Sequence, residues 1–462
     1  MAAPRHRRAK GPRPAPKRIT AALRGGARRL GSTASLLSFA RIAGAVAGFA
    51  TQVVLARALQ ASALGLFYSV TSMAALVSLI AAHGYPAIAS RFLSRYREKD
   101  RQALIAAFVA KARRDAMLYV AIATGGVVAF ALLWPGLGTE ARLAIVAAAL
   151  SIPASAAIRI NGALAAAIRR FGLSYLPDTC IRPFLLLAGV ALFFALGVPL
   201  SPARVTFLLA LILTLLAGVQ YLVLAKDLPR RAAQPAPSRL IKVWQREAKP
   251  LIIVALFVYF FADVDILIVT PLISSAETAA IGLCLKLAML IGFVVQIAHQ
   301  VVVPDLSDAR ARKDPVAIRA ALVKALAFPL AITFAATLFV ALFGERLLAL
   351  FGPEFRSAKF PLLILMGSQL ARALFGPSVQ LLTVVGAQKE NAALAIAALV
   401  VLVVANVVLA PLYGVLGAAL AVAIGTLFWL VASAIVLDRL SGLRTDAVSL
   451  LVRLASTRSA PA

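Results

Sequence analysis

The sequence predicts an all-α, polytopic membrane protein of about 12 transmembrane helices, arranged as two six-helix lobes. Two observations on composition predict it: 62% of the 462 residues are hydrophobic and only 14% are charged, with a mean hydropathy of +0.92. Soluble domains are about 45–50% apolar and about 25% charged. The third observation is that long apolar stretches recur along the whole chain.

Each apolar stretch is long enough to cross a bilayer as a helix. A hydrocarbon core of about 30 Å needs about 20 helical residues. The stretches predicted as spans are 33–56, 64–90, 116–134, 142–165, 180–198, 204–225, 249–270, 279–303, 321–343, 360–385, 390–411 and 415–437. The second of these is long, and we expect it to tilt or break at the sequence HGYP.

The basic residues fall mainly in alternate connections between the spans. The net charge is +30, and of the 48 lysines and arginines about 38 lie on the side of the two chain ends, against about 6 in the opposite connections. This asymmetry predicts that both termini are cytoplasmic. Because the charge is explained by topology, nucleic acid is not expected as a partner, whereas membrane lipids with anionic headgroups are.

The predicted spans divide the chain into two lobes flanked by polar segments. A basic, proline-rich tail is expected to be disordered. The predicted units are a cytoplasmic tail at 1–32, an N-lobe at 33–225, a cytoplasmic linker at 226–248, a C-lobe at 249–437 and a cytoplasmic C-terminal tail at 438–462.

The first hairpin of each lobe has a similar pattern. Gly65 precedes His83 by about 18 residues, and Gly282 precedes His299 by about 17. Six spans per lobe preserve direction, so the lobes are predicted to be parallel repeats about an axis normal to the membrane. Secondary transporters with this layout bind substrate between their repeats.

Several chemistries are not expected from this sequence. It contains no Walker A, HExxH or GxSxG motif, and no connection is long enough to fold as a catalytic domain. Cys180 and Cys284 are far apart in sequence and are predicted to be apolar packing residues. We therefore predict neither an enzyme nor a metal site, and no organic cofactor.

Four basic and two acidic residues lie well inside predicted spans, more than three residues from either end. A charge at the centre of a bilayer costs about 2.5–3.5 kcal/mol, so these side chains should face the interior of the bundle. The excess of cations favours an anionic substrate, and arginine binds phosphate oxygens through two hydrogen bonds. Arg41, Arg159 and Arg372 are therefore the candidates to line a substrate cavity.

The sequence FFADVDILIVTPL places Asp263 and Asp265 in an apolar run. Asp265 and Lys286 lie about 8 Å and about 10 Å below the outer ends of neighbouring helices and are predicted to be able to pair. Asp263 is rotated by about 200° from Asp265 and cannot share that partner. These three are candidates for ion coupling or for an interhelix pair. Weaker candidates are His83, His299, Asn161 and Asn406.

Four segments in this order resemble one known family. They are VVLARALQASALGLFYSV, ADVDILIVTPLISSAETAAIGLCLKLAML, PDLSDARARKDPVAIR and LFGPEFRSAKFPLLILMGSQL, the last followed by VVGAQKENAALAIAALVVLVVANVVLAPLYGVLGAALA. Over residues 33–437 the chain resembles the oligosaccharidyl-lipid flippases of the O-antigen flippase type. These belong to the multidrug/oligosaccharidyl-lipid/polysaccharide exporter superfamily.

The resemblance implies a multi-pass protein of the bacterial inner membrane, active in lipopolysaccharide or exopolysaccharide biosynthesis. Its substrate would be a polyprenyl-pyrophosphate-linked oligosaccharide, flipped by alternating access with H⁺ or Na⁺ as a coupling ion. Other polysaccharide-assembly proteins are implied as partners. Asp265, Gly282 and Lys286 match the family pattern, and Asp263 matches it less clearly.

The same resemblance leaves an alternative function open. An ion-coupled antiporter of small molecules, like the multidrug and toxic-compound exporters, shares this fold class. Flippases of the lipid II type have fourteen spans, and the two additional spans are not found in this sequence.

Overall fold

The computed structural model describes residues 39–229, 236–259, 261–312, 314–443 and 445–447. These residues form helices joined by short connections, and no β-strand occurs among them. The predicted all-α membrane fold is confirmed. The predicted tail at 1–32 and most of the predicted C-terminal tail lie outside the described residues.

The helices of the N-lobe follow each other with few intervening residues. A π-helical turn at Pro177–Ile181 joins two of them. They are α1 (Phe39–Ala58), α2 (Ala61–Ala81), α3 (Tyr85–Glu98), α4 (Gln102–Leu133), α5 (Thr139–Ala167), α6 (Phe171–Leu176), α7 (Arg182–Ala195) and α8 (Pro202–Leu224).

The helices of the C-lobe are more often bent. A 3₁₀ turn at Pro353–Ala358 precedes α13. The helices are α9 (Ser238–Tyr259), α10 (Phe261–Val269), α11 (Ser275–Ala311), α12 (Pro315–Ala349), α13 (Lys359–Leu374), α14 (Ser378–Val384) and α15 (Gln388–Ser441).

Helix starts follow from local sequence. Ser201 precedes Pro202, and its hydroxyl accepts a hydrogen bond of 3.4 Å from the backbone N–H of Arg204. Asp314 likewise accepts from the backbone N–H groups of Val316 and Ala317, at 2.9 and 3.0 Å. In both cases a side-chain oxygen satisfies N–H groups that have no partner within the helix, and proline follows at the first helical position.

Three helix pairs form bent or broken spans. The break between α2 and α3 lies at 82–84, where Gly84 has a φ of 71°, so the predicted break at HGYP is confirmed. The α9–α10 pair bends by 67° and the α13–α14 pair by 45°.

The last helix is too long for one crossing. α15 has 54 residues, which corresponds to about 81 Å at about 1.5 Å per residue. Gly414 interrupts it with φ 55° and ψ −130°, a conformation outside the helical region. This break lies between the predicted spans 390–411 and 415–437.

The described residues contain 9 helices long and apolar enough to cross a membrane, or up to 11 if each bent pair is one span. The total of twelve and the position of the two chain ends remain predictions. We call the end of the bundle with the basic connections the inner end, and the opposite end the outer end.

Two helices extend beyond the spans predicted from sequence. The third span, predicted at 116–134, belongs to a helix that begins at Gln102. The predicted linker 226–248 is helical from Ser238, because its apolar and polar residues alternate with helical period and continue into α9. Residues 230–235 of that linker lie outside the described residues.

Packing within each lobe is continuous, and one helix makes the main contact between lobes. In the N-lobe α5 packs against α2, α4 and α8; in the C-lobe α13 packs against α11, α12 and α15. Across the lobes α2 packs against α10 and α11. Buried side chains of these three helices share one apolar core.

We predict that Gly414→Ala destabilises the protein. A residue with a Cβ in this conformation is strained by about 1–3 kcal/mol, so the detergent-solubilised variant should melt at a lower temperature.

The control is Gly218→Ala in α8, where a Cβ would meet no atom within 4 Å. Alanine is favoured over glycine within a helix by about 1 kcal/mol. Equal melting temperatures for the Gly414 variant and the wild type would contradict the assigned strain.

Candidate functional site

The two lobes touch at the outer end through small polar side chains. The hydroxyls of Ser69 in α2 and Thr270 after α10 lie 2.8 Å apart. Nearby, a Cβ built on Gly65 would overlap the carbonyl oxygen of Ser275. Only glycine allows α2 to approach α11 this closely.

A second contact between the lobes at the outer end is made by an arginine. The guanidinium of Arg57, at the end of α1, donates to the carbonyl oxygens of Leu350 and Ala349, at 2.8 and 3.0 Å. These carbonyls belong to the C-terminal end of α12, where the helix has unsatisfied acceptors and a partial negative charge. Phe49 also packs edge-to-face on Phe351. We call the contacts of Arg57, Gly65 and Ser69 with the C-lobe the outer contact.

Below the outer contact, Asp263 faces the N-lobe. Its Oδ1 accepts a hydrogen bond of 2.8 Å from the Ser72 hydroxyl in α2. Lys286 in α11 lies with its Nζ 4.7 Å from the centre of the Tyr68 ring. The Tyr68 hydroxyl donates to Gln52 at 2.6 Å.

Asp265 faces the other way, into the C-lobe. It is fully buried, and its Oδ1 accepts a hydrogen bond of 2.8 Å from Asn406 in α15. Its Oδ2 and the Oδ1 of Asn406 have no hydrogen-bond partner among the described residues.

The predicted contact between Asp265 and Lys286 is therefore not formed. The sequence predicted that the two aspartates point in different directions, as the structure shows. It assigned Lys286 as a partner to Asp265 and none to Asp263. The charge of Asp263, not that of Asp265, acts on Lys286, and neither aspartate forms a salt bridge with Lys286 among the described residues. The reason is that α10 turns Asp265 toward α15, a contact that the hairpin alone does not indicate.

Further toward the inner end, Arg159 connects α5 with the π-helical turn. It interacts electrostatically with Asp178, Arg182 and Asp263, and its Nε lies 3.4 Å from the Ser78 hydroxyl. Arg182 forms a salt bridge of 2.8 Å with Asp178. Asp178 and Arg182 were not predicted as site residues.

The electrostatic interactions of Arg159 and Lys286 place five charged side chains from both lobes near one another, and Arg182 and Asp178 are in direct contact through a salt bridge. The five-charge cluster consists of Arg159, Asp178, Arg182, Asp263 and Lys286. Three are basic and two are acidic, so the cluster is net positive. The sequence YLPDTCIRP carries a signal for it, because Asp178 and Arg182 are four residues apart between two prolines. π-helical turns are frequent at functional sites.

Arg41 lies near the junction of the lobes, and its role in a cavity stays a prediction. Its guanidinium carbon is 4.7 Å from the centre of the Tyr175 ring in the N-lobe and 6.0 Å from that of Phe293 in the C-lobe. A Cβ on Gly44, one turn further, would overlap the carbonyl oxygen of Thr179. This close approach fixes α1 against the π-helical turn.

Arg372 and His299 form a separate pair within the C-lobe. They interact electrostatically, and neither the Nε of Arg372 nor the Nε2 of His299 has a hydrogen-bond partner among the described residues. No contact among the described residues joins them to the five-charge cluster. The role of Arg372 in a substrate cavity stays a prediction.

The remaining weak candidates have local roles. His83 lies in the break between α2 and α3 and stacks on Tyr119 with ring centres 4.4 Å apart. Asn161 accepts a long hydrogen bond of 3.5 Å from Arg113. Among the residues that the structure describes, no three His, Cys, Asp or Glu side chains are grouped as a metal would require.

Comparison with known families identifies the chain. Residues 30–310, more than half of the sequence, match the family described as "Polysaccharide biosynthesis protein". The chain belongs to this family. No curated protein matches the sequence.

Solved structures of transporters share the fold of this polysaccharide biosynthesis protein. Lipid II flippase MurJ in an inward closed conformation has a TM-score of 0.69 at 13% identity, over 92% of this chain and 93% of that one. A multidrug resistance MATE family transporter of the MOP superfamily, in an inward-facing conformation, has a TM-score of 0.65 at 15% identity, over 87% and 96%. The protein therefore has the MOP-superfamily fold.

A second MATE structure shares the fold as well. An outward-facing MATE family transporter of the MOP superfamily gives a TM-score of 0.55 at 15% identity, over 88% of this chain and 96% of that one. In this chain the outer contact holds the two lobes together at the outer end.

We predict that the double variant Ser69→Cys, Thr270→Cys forms a disulfide on mild oxidation. The two hydroxyls are 2.8 Å apart, and a disulfide needs Cβ atoms about 3.5–4.5 Å apart. The background should have Cys180 and Cys284 replaced by serine, since these are the two cysteines of the chain. Free thiols counted by maleimide labelling should fall from two to none.

The control pairs Ser69→Cys with Leu222→Cys, an exposed position on α8. It should keep both thiols under the same oxidation. A Ser69–Thr270 pair that stays reduced would contradict the closed outer end.

Proposed function

We propose that the protein flips a polyprenyl-pyrophosphate-linked oligosaccharide across the bacterial inner membrane by alternating access. The observation that carries the proposal is the net positive five-charge cluster between lobes that are closed at the outer end. The family supports a role in polysaccharide biosynthesis. The lipid-linked substrate, the membrane and any polysaccharide-assembly partners belong to the proposal.

The charge count favours an anionic substrate. The five-charge cluster has three basic and two acidic side chains, so one positive charge is in excess. Guanidinium groups bind phosphate oxygens through paired, charge-assisted hydrogen bonds. A pyrophosphate entering from the inner end would meet Arg41 and then this cluster.

Movement of the lobes would exchange partners within the cluster. As the pyrophosphate binds Arg159 and Arg182, Asp178 is released from its salt bridge, and Asp263 remains with Lys286. The outer contact consists of a few polar bonds, which water replaces when the lobes separate there. The polyprenyl chain stays in the lipid throughout, so only the polar headgroup crosses the protein.

Asp265 and Asn406 supply a candidate site for a coupling ion. A buried carboxylate oxygen and a buried amide oxygen there have no hydrogen-bond donor within the described part of the chain. A proton on Asp265 would remove the cost of its buried charge, and Na⁺ would be bound by the same oxygen ligands. Asp265 lies on α10, which also carries Asp263. Binding of either ion at Asp265 would therefore also affect the five-charge cluster.

An ion-coupled antiporter of small organic cations is the second candidate. The two aspartates of α10 and the likeness to MATE structures favour it. Such a cargo needs an excess of carboxylates, whereas the cluster has an excess of cations. The flippase is therefore the better supported function, and no enzymatic chemistry is proposed.

We predict that Arg159→Gln and Arg182→Gln each reduce polysaccharide export at least about tenfold. A hydrogen bond to a charged group contributes about 1.5–3 kcal/mol, which corresponds to about tenfold to a hundredfold. Surface polysaccharide should be measured in a deletion strain complemented with each variant, together with lipid-linked oligosaccharide on the cytoplasmic leaflet, which should accumulate.

The matched control is Arg142→Gln, a basic residue of the outer end whose guanidinium lies 3.5 Å from the carbonyl oxygen of Trp134. It should export normally. Full export by both cluster variants would refute the anion site. Unchanged export by the deletion strain, with increased drug sensitivity, would favour the antiporter.

The cysteine pair at Ser69 and Thr270 provides a separate prediction for the cycle. Oxidation should stop export, because it holds the outer end closed, and a reducing agent should restore it. Export that continues while the disulfide is intact would exclude opening at the outer contact.

A further inference from the structure

A basic pocket lies at the inner end, away from the five-charge cluster. It has a volume of about 360 Å³ and is formed where α3 of the N-lobe meets α9 of the C-lobe. The basic residues that line it are Arg91, Arg95, Lys99 and Arg101. Glu247, the acidic residue on its wall, is already paired with Arg91. Three basic groups thus remain without a carboxylate in the pocket.

The floor of the pocket is apolar and firmly packed. Phe92 and Tyr96 line it and pack against the fully buried Trp244, whose indole N–H donates to the Tyr96 hydroxyl at 2.9 Å. Arg91 also lies over the Phe92 ring, 5.1 Å from its centre. The basic groups are therefore arranged around a preformed cavity.

Helix lengths place this pocket at the level of the lipid headgroups. The α2–α3 span has 38 residues, which corresponds to about 57 Å, whereas the hydrocarbon core is about 30 Å thick. Counting about 20 residues from its outer end reaches Ala81, so α3 lies beyond the core. Leu240, Val243 and Glu247 of α9 line the same pocket and therefore lie at that level too.

We propose that this pocket binds the phosphate group of a lipid in the inner leaflet. Basic pockets between transmembrane helices at this depth suit anionic headgroups, and arginine matches phosphate geometry. Two sources share this chemistry: a resident anionic phospholipid, and the diphosphate of a lipid-linked molecule. Because the pocket has walls from both lobes, a bound headgroup would join α3 to α9. The inference does not depend on the proposed function, since lipid binding is measured without transport.

The test is native mass spectrometry of the full-length, detergent-solubilised protein with added lipid. Phosphatidylglycerol, polyprenyl diphosphate, phosphatidylcholine and inorganic phosphate are titrated separately. Binding of either anionic lipid supports the site, and the one that binds more tightly identifies the source. Equal binding of phosphatidylcholine, or displacement of lipid by millimolar inorganic phosphate, would overturn the assignment to a lipid phosphate.

The pocket variant is Arg95→Gln, Lys99→Gln, Arg101→Gln. These side chains are exposed and form none of the salt bridges that the structure describes, so folding should be preserved. Its affinity for the anionic lipid should fall at least about tenfold, since each basic residue near the headgroups adds to binding.

The control variant removes equal charge from the inner end outside the pocket. It is Arg114→Gln, Arg319→Gln, Lys324→Gln, all at exposed positions. It should bind anionic lipid within about twofold of the wild type, because general attraction to the surface is screened within about 10 Å. Equal losses in the two variants would show non-specific attraction and overturn the proposal.

Discussion

A charged side chain inside a hydrocarbon core has no water to stabilise it, and this constraint determines how the two lobes meet. Arg159, Asp178 and Arg182 come from the N-lobe, whereas Asp263 and Lys286 come from the C-lobe. Arg182 and Asp178 form a salt bridge within the N-lobe, and Asp263 and Lys286 carry opposite charges within the C-lobe. The cluster has one more positive than negative charge. This excess is stabilised best by contact between the lobes or by a bound anion.

The contacts between the lobes differ in chemistry between the outer end and the middle of the bundle. Near the outer end the contacts are hydroxyl groups, backbone carbonyls and a glycine, which tolerate water. Deeper in the bundle they are ionised groups, whose attraction is stronger because the surroundings are less polar. The apolar core shared by α2, α10 and α11 lies alongside both sets of contacts. The lobes are thus held by polar contacts near the outer end, by charged groups in the middle of the bundle and by the apolar core beside both.

Much of this arrangement could be predicted from sequence, because apolar length and the placement of basic residues are properties of the chain alone. The broken span at HGYP and the opposite directions of Asp263 and Asp265 follow from glycine conformation and helical period. The partners of the aspartates could not be predicted, since Ser72 and Asn406 are about 190 and about 140 residues away in sequence from them. Asp178 was missed because it lies just outside the apolar stretch that defined its span. The role of Arg57 could not be predicted either, because its partners at the C-terminal end of α12 are distant from it in sequence.

The capping of α12 by Arg57 bears on the energetics of the two arrangements of the lobes. Both the guanidinium and the carbonyl oxygens of Ala349 and Leu350 lie at an exposed site. If the lobes part there, each group exchanges its protein partner for a water molecule, and net differences of this kind are about 0.5–1.5 kcal/mol per hydrogen bond. The two arrangements would then differ little in free energy at this point. A nearly balanced equilibrium of this sort needs only a small input from a bound ligand or ion to shift its populations in either direction.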